Sequence, residues 1–158
     1  SDAPLEVRIE LPVDAHLPHE YVPAERLRLE MYRRLADARN TDELSAVEAE
    51  LADRYGKPPA PVQLLLRVAA LRLRARQLGI SEIAAVGASV RLSPVPLPDS
   101  MQVRIGRLYP RATLKPATRT IVIPKPQFAT SADGDLIDWV LGVLEAVAPA
   151  TAPMKENV

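Results

Sequence analysis

Apolar residues recur along this chain with two different periods, and the change of period divides it. Leu5, Val7, Ile9 and Leu11 alternate with polar neighbours, the pattern of a strand, which Pro12 ends. Val13 to Pro23, with Pro18 and Pro23, reads as an extended connector. A strand followed at once by a loop and helices has no local partner. It either pairs with a later hairpin or is the end of a preceding domain.

The period then becomes helical. Leu27, Met31, Leu35 and Ala38 form a stripe within a helix from about Ala24 to Ala38, and Pro23 suits its start. A second helix opens with Asn40 as N-cap and Glu43 three residues on, a relative of the capping box. Leu44, Val47 and Leu51 are its apolar stripe. Gly56 fits the residue after its end, and Pro58 and Pro59 forbid continuation. A third helix spans Ala60 to Leu78, with Val62, Leu65, Leu66, Ala69, Leu73 and Leu78 on one face and Gly79 as its stop. Ile83 to Val86 and Val90 to Ser93 flank Gly87 as a hairpin. Residues 100–108 fit both periods: Val103 and Ile105 alternate, whereas Met101, Ile105 and Leu108 follow helical spacing. We read a short helix from Ser100 to Leu108, with Asp99 as N-cap. Thr113 to Lys115 and Thr120 to Ile123 form a second hairpin. A last helix runs from Gly134 to Val147, capped by Asp133, with Trp139 in the core. The fold class is α+β: an N-terminal helical subdomain of three helices, then two β-hairpins each followed by a helix.

Composition narrows the function more than the fold. The 158 residues suffice for one domain with a hydrophobic core. Lysine plus arginine equals aspartate plus glutamate at 20 each, so the net charge is zero. A zero balance argues against nonspecific attraction to nucleic acid or anionic lipid as the main function. The absence of cysteine excludes disulfides, thiolate catalysis and cysteine-based zinc sites. There is no signal peptide and no long apolar run, so a cytoplasmic location and no membrane partner are expected. The start at Ser1-Asp2, without methionine, fits either a piece of a larger protein or removal of an initiator methionine.

Candidate catalytic chemistry is thin. Gly56-Lys57 lacks the other glycines and the hydroxyl residue of a phosphate-binding loop. His16 and His19 are separated by Pro18 and have no third ligand nearby, so no metal and no cofactor are expected. No Ser-His-acid set can be assembled. Asp133 and Asp135 are accounted for by helix capping. Arg72, Arg74 and Arg76 invite a nucleic-acid reading, but a solvated face balancing the acidic second helix explains them better. The aromatic residues are spread out and make no base-stacking platform.

The second helix is the exception. Asp42, Glu43, Glu48, Glu50 and Asp53 are its only charges until Arg54. Acids suit the first turn, but Glu50 and Asp53 lie in the last, where the helix dipole opposes them, and three residues apart they share a face. Residue chemistry leaves two readings. The pair is either a solvated helix end eased by Arg54, Lys57, Arg33 or Arg34, or a contact for a cation from outside.

Three stretches, in order, resemble one family. L-P-V-D-A-H-L-P-H-E-Y-V-P (Leu11 to Pro23), R-L-R-L-E-M-Y-R-R-L-A (Arg26 to Ala36) and E-L-A-D-R-Y-G-K-P-P (Glu50 to Pro59) are similar to the C-terminal domain of bacterial transcription-repair coupling factors. The L-G-I at Leu78 and the I-D-W-V at Ile137 fit as well. The resemblance implies a non-catalytic regulatory domain of a large ATP-driven DNA translocase that removes stalled RNA polymerase and recruits UvrA. It implies a clamp on the N-terminal UvrB-like module of the parent chain, masking the UvrA-binding surface until polymerase is engaged. In the family the acidic pair of this motif faces an arginine on that module, which carries the role to Glu50 and Asp53, with Arg54 beside them. Residues 1–23 would then be strand and linker from the preceding motor domain, 24–147 the regulatory domain and 148–158 a disordered tail. UvrA and RNA polymerase would be indirect partners, and direct DNA binding is not expected. The alternative is a module binding nucleic acid or polymerase through the arginine-rich third helix.

Overall fold

A computed structural model describes residues 5–127 and 133–149. The first strand, β1 (Arg8–Glu10), is followed by three helices, α1 (Glu25–Asp37), α2 (Thr41–Tyr55) and α3 (Ala60–Gln77). The hairpin β2 (Glu82–Val86) and β3 (Ser89–Ser93) comes next, then α4 (Asp99–Leu108), the strands β4 (Thr113–Lys115) and β5 (Thr120–Pro124), and α5 (Asp133–Val147). This is the α+β arrangement expected. All five strands join one sheet in the order β1-β2-β3-β5-β4.

The first strand does find a partner in this domain. β1 pairs in parallel with β2, Ile9 opposite Ile83, and the three helices form the crossover that a parallel pair requires. The connector after it is also packed. Leu17 and Val22 are buried, and the Leu17 N–H donates to the Tyr32 hydroxyl at 2.7 Å. The other pairings are antiparallel.

Two cores result. Met31, Leu35, Val47, Leu51, Val62 and Ala69 close the three-helix unit. Ile83, Val90, Leu92, Ile121 and Ile123 of the sheet pack with Leu136, Val140 and Leu144 of α5. Helix α3 belongs to both. The single apolar face read from sequence is accompanied by a second, because Val68, Leu71 and Ala75 are buried as well. Leu71 and Ala75 lie in the sheet core while Val62 and Ala69 lie in the helical one.

Two expected caps are placed differently. Pro98 occupies the N-cap of α4, and Asp99 sits in the first turn, where its charge meets the positive end of the helix dipole instead. Asp133 is the first residue of α5, and its carboxylate accepts the Asp14 N–H at 2.7 Å. Trp139 is half-buried at the margin of the sheet core. The tail expected from 148 lies outside the described residues from 150 onward.

Candidate functional site

The acidic end of α2 is built by local rules. Asn40 caps the helix by accepting the Glu43 N–H at 2.9 Å, while the Glu43 carboxylate reaches back to the Arg39 N–H at 2.6 Å. This is the reciprocal arrangement read from sequence, shifted one residue outward. At the other end Gly56 adopts φ +87°, a conformation that costs a residue with a Cβ, and its N–H bonds the Ala52 carbonyl. Tyr21 holds this end from outside, its hydroxyl within 3.2 Å of the Leu51 carbonyl and 2.8 Å of the Gly56 carbonyl. The rings of Tyr21 and Tyr55 lie 5.7 Å apart, and the Arg54 guanidinium sits 5.4 Å from the centre of the Tyr55 ring. The last turn is therefore fixed on an aromatic pair, which fixes where its carboxylates point.

The two carboxylates have different surroundings. Glu50 is held by Arg34 of α1 at 2.8 Å and by Arg54 of its own helix at 3.2 Å. The hydrogen bond from Arg34 is the main cause that lowers the Glu50 pKa below the usual carboxylate range. Its side chain keeps 33% of its exposure, so it remains open to a further cation. Asp53 is exposed, and among the described residues its side chain has no ion pair or hydrogen bond. Arg54, named with these two from sequence, is turned inward onto Glu50 and Tyr55. Of the cations that could ease the helix end, Arg34 and Arg54 do so; Arg33 and Lys57 do not. An open groove of about 460 Å³ between α1 and α2 leads up to the site, lined by Arg33, Arg34, Asp37, Arg39, Glu43 and Val47.

The arginines of α3 are engaged elsewhere. Arg67 pairs with Asp138, and Arg74 makes a two-pronged contact with Glu145 at 2.7 Å for both bonds. Arg76 donates to the carbonyls of Leu5, Ala36 and Ala38 at 2.8–2.9 Å. Arg72 is half-buried without a partner among the described residues, and burial lowers its pKa. The expected balance of α3 against α2 is therefore corrected. The cations of α3 meet α5 and the end of α1, because α5 packs on the other side of α3 and carries carboxylates at matching positions.

Among the described residues no group of three potential ligands is placed to hold a metal, and no helix is long and apolar enough to cross a membrane. His16 sits 2.9 Å from Asp14 and His19 3.4 Å from Glu20. Sequence reasoning passed over the Tyr21–Tyr55 pair. Its one signal was Tyr55 inside the D-R-Y-G run, where a polar-tipped ring adjoins a helix-ending glycine.

The comparisons with known proteins fall on the same architecture. Residues 11–102 match the TRCF domain family. The transcription-repair-coupling factor of Mycobacterium tuberculosis is 47% identical over 94% of this chain, which spans 12% of that relative's length. The Escherichia coli factor is 37% identical over 49% of the chain and 7% of its own length. A solved crystal structure of the C-terminal domain of transcription-repair coupling factor superposes with a TM-score of 0.70 at 17% identity, covering 92% of this chain and 93% of that one. With a family match over more than half its length and a relative 47% identical across nearly all of it, this chain belongs to the TRCF domain family of transcription-repair coupling factors.

Proposed function

We propose that this domain is a regulatory clamp in a transcription-repair coupling factor. It holds the N-terminal UvrB-like module of the parent chain and masks the UvrA-binding surface until RNA polymerase is engaged. The observation that supports this most is the unequal state of the acidic pair. Glu50 is shared by Arg34 and Arg54 yet remains partly open, and Asp53 stands exposed beside it with no cation of its own among the described residues. An arginine arriving from the partner module meets one carboxylate that it must share and one free one, and a two-pronged contact of this kind is favourable in a partly dried interface.

The clamp must also open. A coupling of about 1–3 kcal/mol shifts populations by about five- to 150-fold, the ordinary range for allosteric contacts. A contact built on one half-exposed and one exposed carboxylate lies in that range and yields when polymerase and DNA favour the open arrangement. The domain itself supplies regulation rather than chemistry. The test is Glu50→Ala with Asp53→Ala in the full-length factor, scored by UvrA pull-down without polymerase. Increased UvrA capture is expected; unchanged capture rejects the clamp.

A further inference from the structure

The zero net charge conceals a strong local imbalance. Between Ser100 and Gln127 the chain carries Arg104, Arg107, Arg111, Lys115, Arg119 and Lys125 and not one carboxylate. Every ion pair among the described residues uses a cation outside this segment. The neutral sum therefore comes from a self-paired remainder plus an unbalanced end.

Five of these cations follow one another along the chain from α4 to the head of β5. Arg104 and Arg107 lie on α4, Arg111 on the short loop that follows, Lys115 at the end of β4 and Arg119 at the head of β5. All five are exposed. Arg104 donates to the Ala146 carbonyl, whereas the side chains of Arg107, Arg111, Lys115 and Arg119 have no partner among the described residues. β4 is the outermost strand, so no further strand covers this edge. Arg119 holds φ +52° on the turn between β4 and β5, a left-handed backbone that glycine or asparagine would adopt more easily. A cation thus stands at the turn of the hairpin in a backbone conformation it seldom adopts.

We infer that this α4–β4–β5 surface binds the phosphate backbone of duplex DNA without reading its sequence. Arginines dominate, and their forked donors suit phosphate oxygens. They are spread over three elements on an open surface rather than converging in a pocket, which suits a repeating row of phosphates. Among the described residues of this stretch the one aromatic side chain, Tyr109, is half-buried, so they present no platform for stacked bases. An acidic protein is the other taker of such a field. Exposed Val103 and Leu108 on α4 would join that contact, but two apolar side chains beside five cations form too small a centre for a protein interface. This revises the expectation drawn from net charge: the total is zero, but residues 100–127 carry six cations and no carboxylate.

The test is fluorescence anisotropy of a labelled 20-base-pair duplex titrated with this chain. Binding at low salt is expected. With four or five phosphates neutralised and a slope of about −0.9 for each, affinity falls about 150- to 500-fold between about 50 and 200 mM salt. The variant Arg111→Gln/Lys115→Gln/Arg119→Gln flattens the slope by about 2.7. A control, Arg26→Gln/Arg33→Gln/Arg39→Gln, carries the same net charge and keeps the unmodified slope. Circular dichroism confirms that both variants fold. No binding at low salt overturns the inference, which is the outcome if the surface serves an acidic protein instead. Equal weakening by the two variants also overturns it, since that reports total charge rather than this surface.

Discussion

Replacing Arg34 by glutamine should tighten the proposed clamp. In the free domain Arg34 occupies one oxygen of Glu50 at 2.8 Å, and Arg54 lies 3.2 Å from the other. The four groups Glu50, Asp53, Arg34 and Arg54 sum to zero, so an incoming arginine is drawn by two carboxylates and repelled by two resident cations. Two guanidinium groups sharing a carboxylate stand roughly 6 Å apart, a repulsion of about 0.7 kcal/mol in a water-like medium and about 2.8 kcal/mol at an effective dielectric of about 20. The side chains of Arg34 and Glu50 retain 35% and 33% of their exposure, which places the site near the lower figure. Removing Arg34 should then tighten binding of the UvrB-like module about three- to fivefold, with the gain shrinking as salt is raised. The domain itself loses little. A half-exposed ion pair contributes about 0–1 kcal/mol, so the melting temperature falls by no more than about 4 °C. Isothermal titration of the module with the unmodified chain and with Arg34→Gln reads the change directly. Weaker binding by Arg34→Gln would refute the reasoning, because it would make Arg34 a brace that orients Glu50 rather than a competitor for it.

Other consequences follow from the same contacts. Arg76→Met strands three carbonyls and should cost about 1–3 kcal/mol in urea unfolding, whereas Arg72→Met removes a half-buried unpaired charge and should be neutral or stabilising; equal losses would contradict this assignment. Gly56→Ala should cost about 1 kcal/mol from backbone conformation, since a Cβ there meets nothing within 4 Å; an unchanged melting temperature would be inconsistent with φ +87°. The hydrogen bond from Arg74 depresses the Glu145 pKa, so its stabilisation is complete above the unfolded value of about 4.3 and is lost as pH falls through the lower folded value. Urea melts of Glu145→Gln between about pH 6 and 3 should show a shallower acid loss than the unmodified chain; an identical slope would remove this pair from the account.

Much of the fold was legible because its signals are local. Asn40 with Glu43, Gly56 before two prolines, Gly79 after α3 and Gly87 between β2 and β3 each act within a few residues of themselves. The partner of β1 was not legible, since parallel pairing with β2 depends on a crossover of more than seventy residues and not on the strand's own alternation. The destination of the α3 arginines was missed for a related reason. Arg67 and Arg74 stand seven apart, as do Asp138 and Glu145, so two turns of each helix match. That correspondence has meaning only once α5 is known to pack on α3. At the candidate site, sequence located the acidic pair from its conflict with the helix dipole. It could not divide the two carboxylates, because Arg34 reaches Glu50 from another helix and leaves Asp53 unpaired. The charge asymmetry of residues 100–127 was present in the sequence throughout, hidden by summing over the whole chain.

The clamp stands or falls on whether Glu50 and Asp53 contact the UvrB-like module. Titration of that module with this chain and with Glu50→Lys/Asp53→Lys tests this most directly. The account predicts measurable binding by the unmodified chain, its loss in the charge-swapped chain, and recovery when the module's facing arginine is replaced by glutamate. Equal affinity of the module for both chains would contradict it.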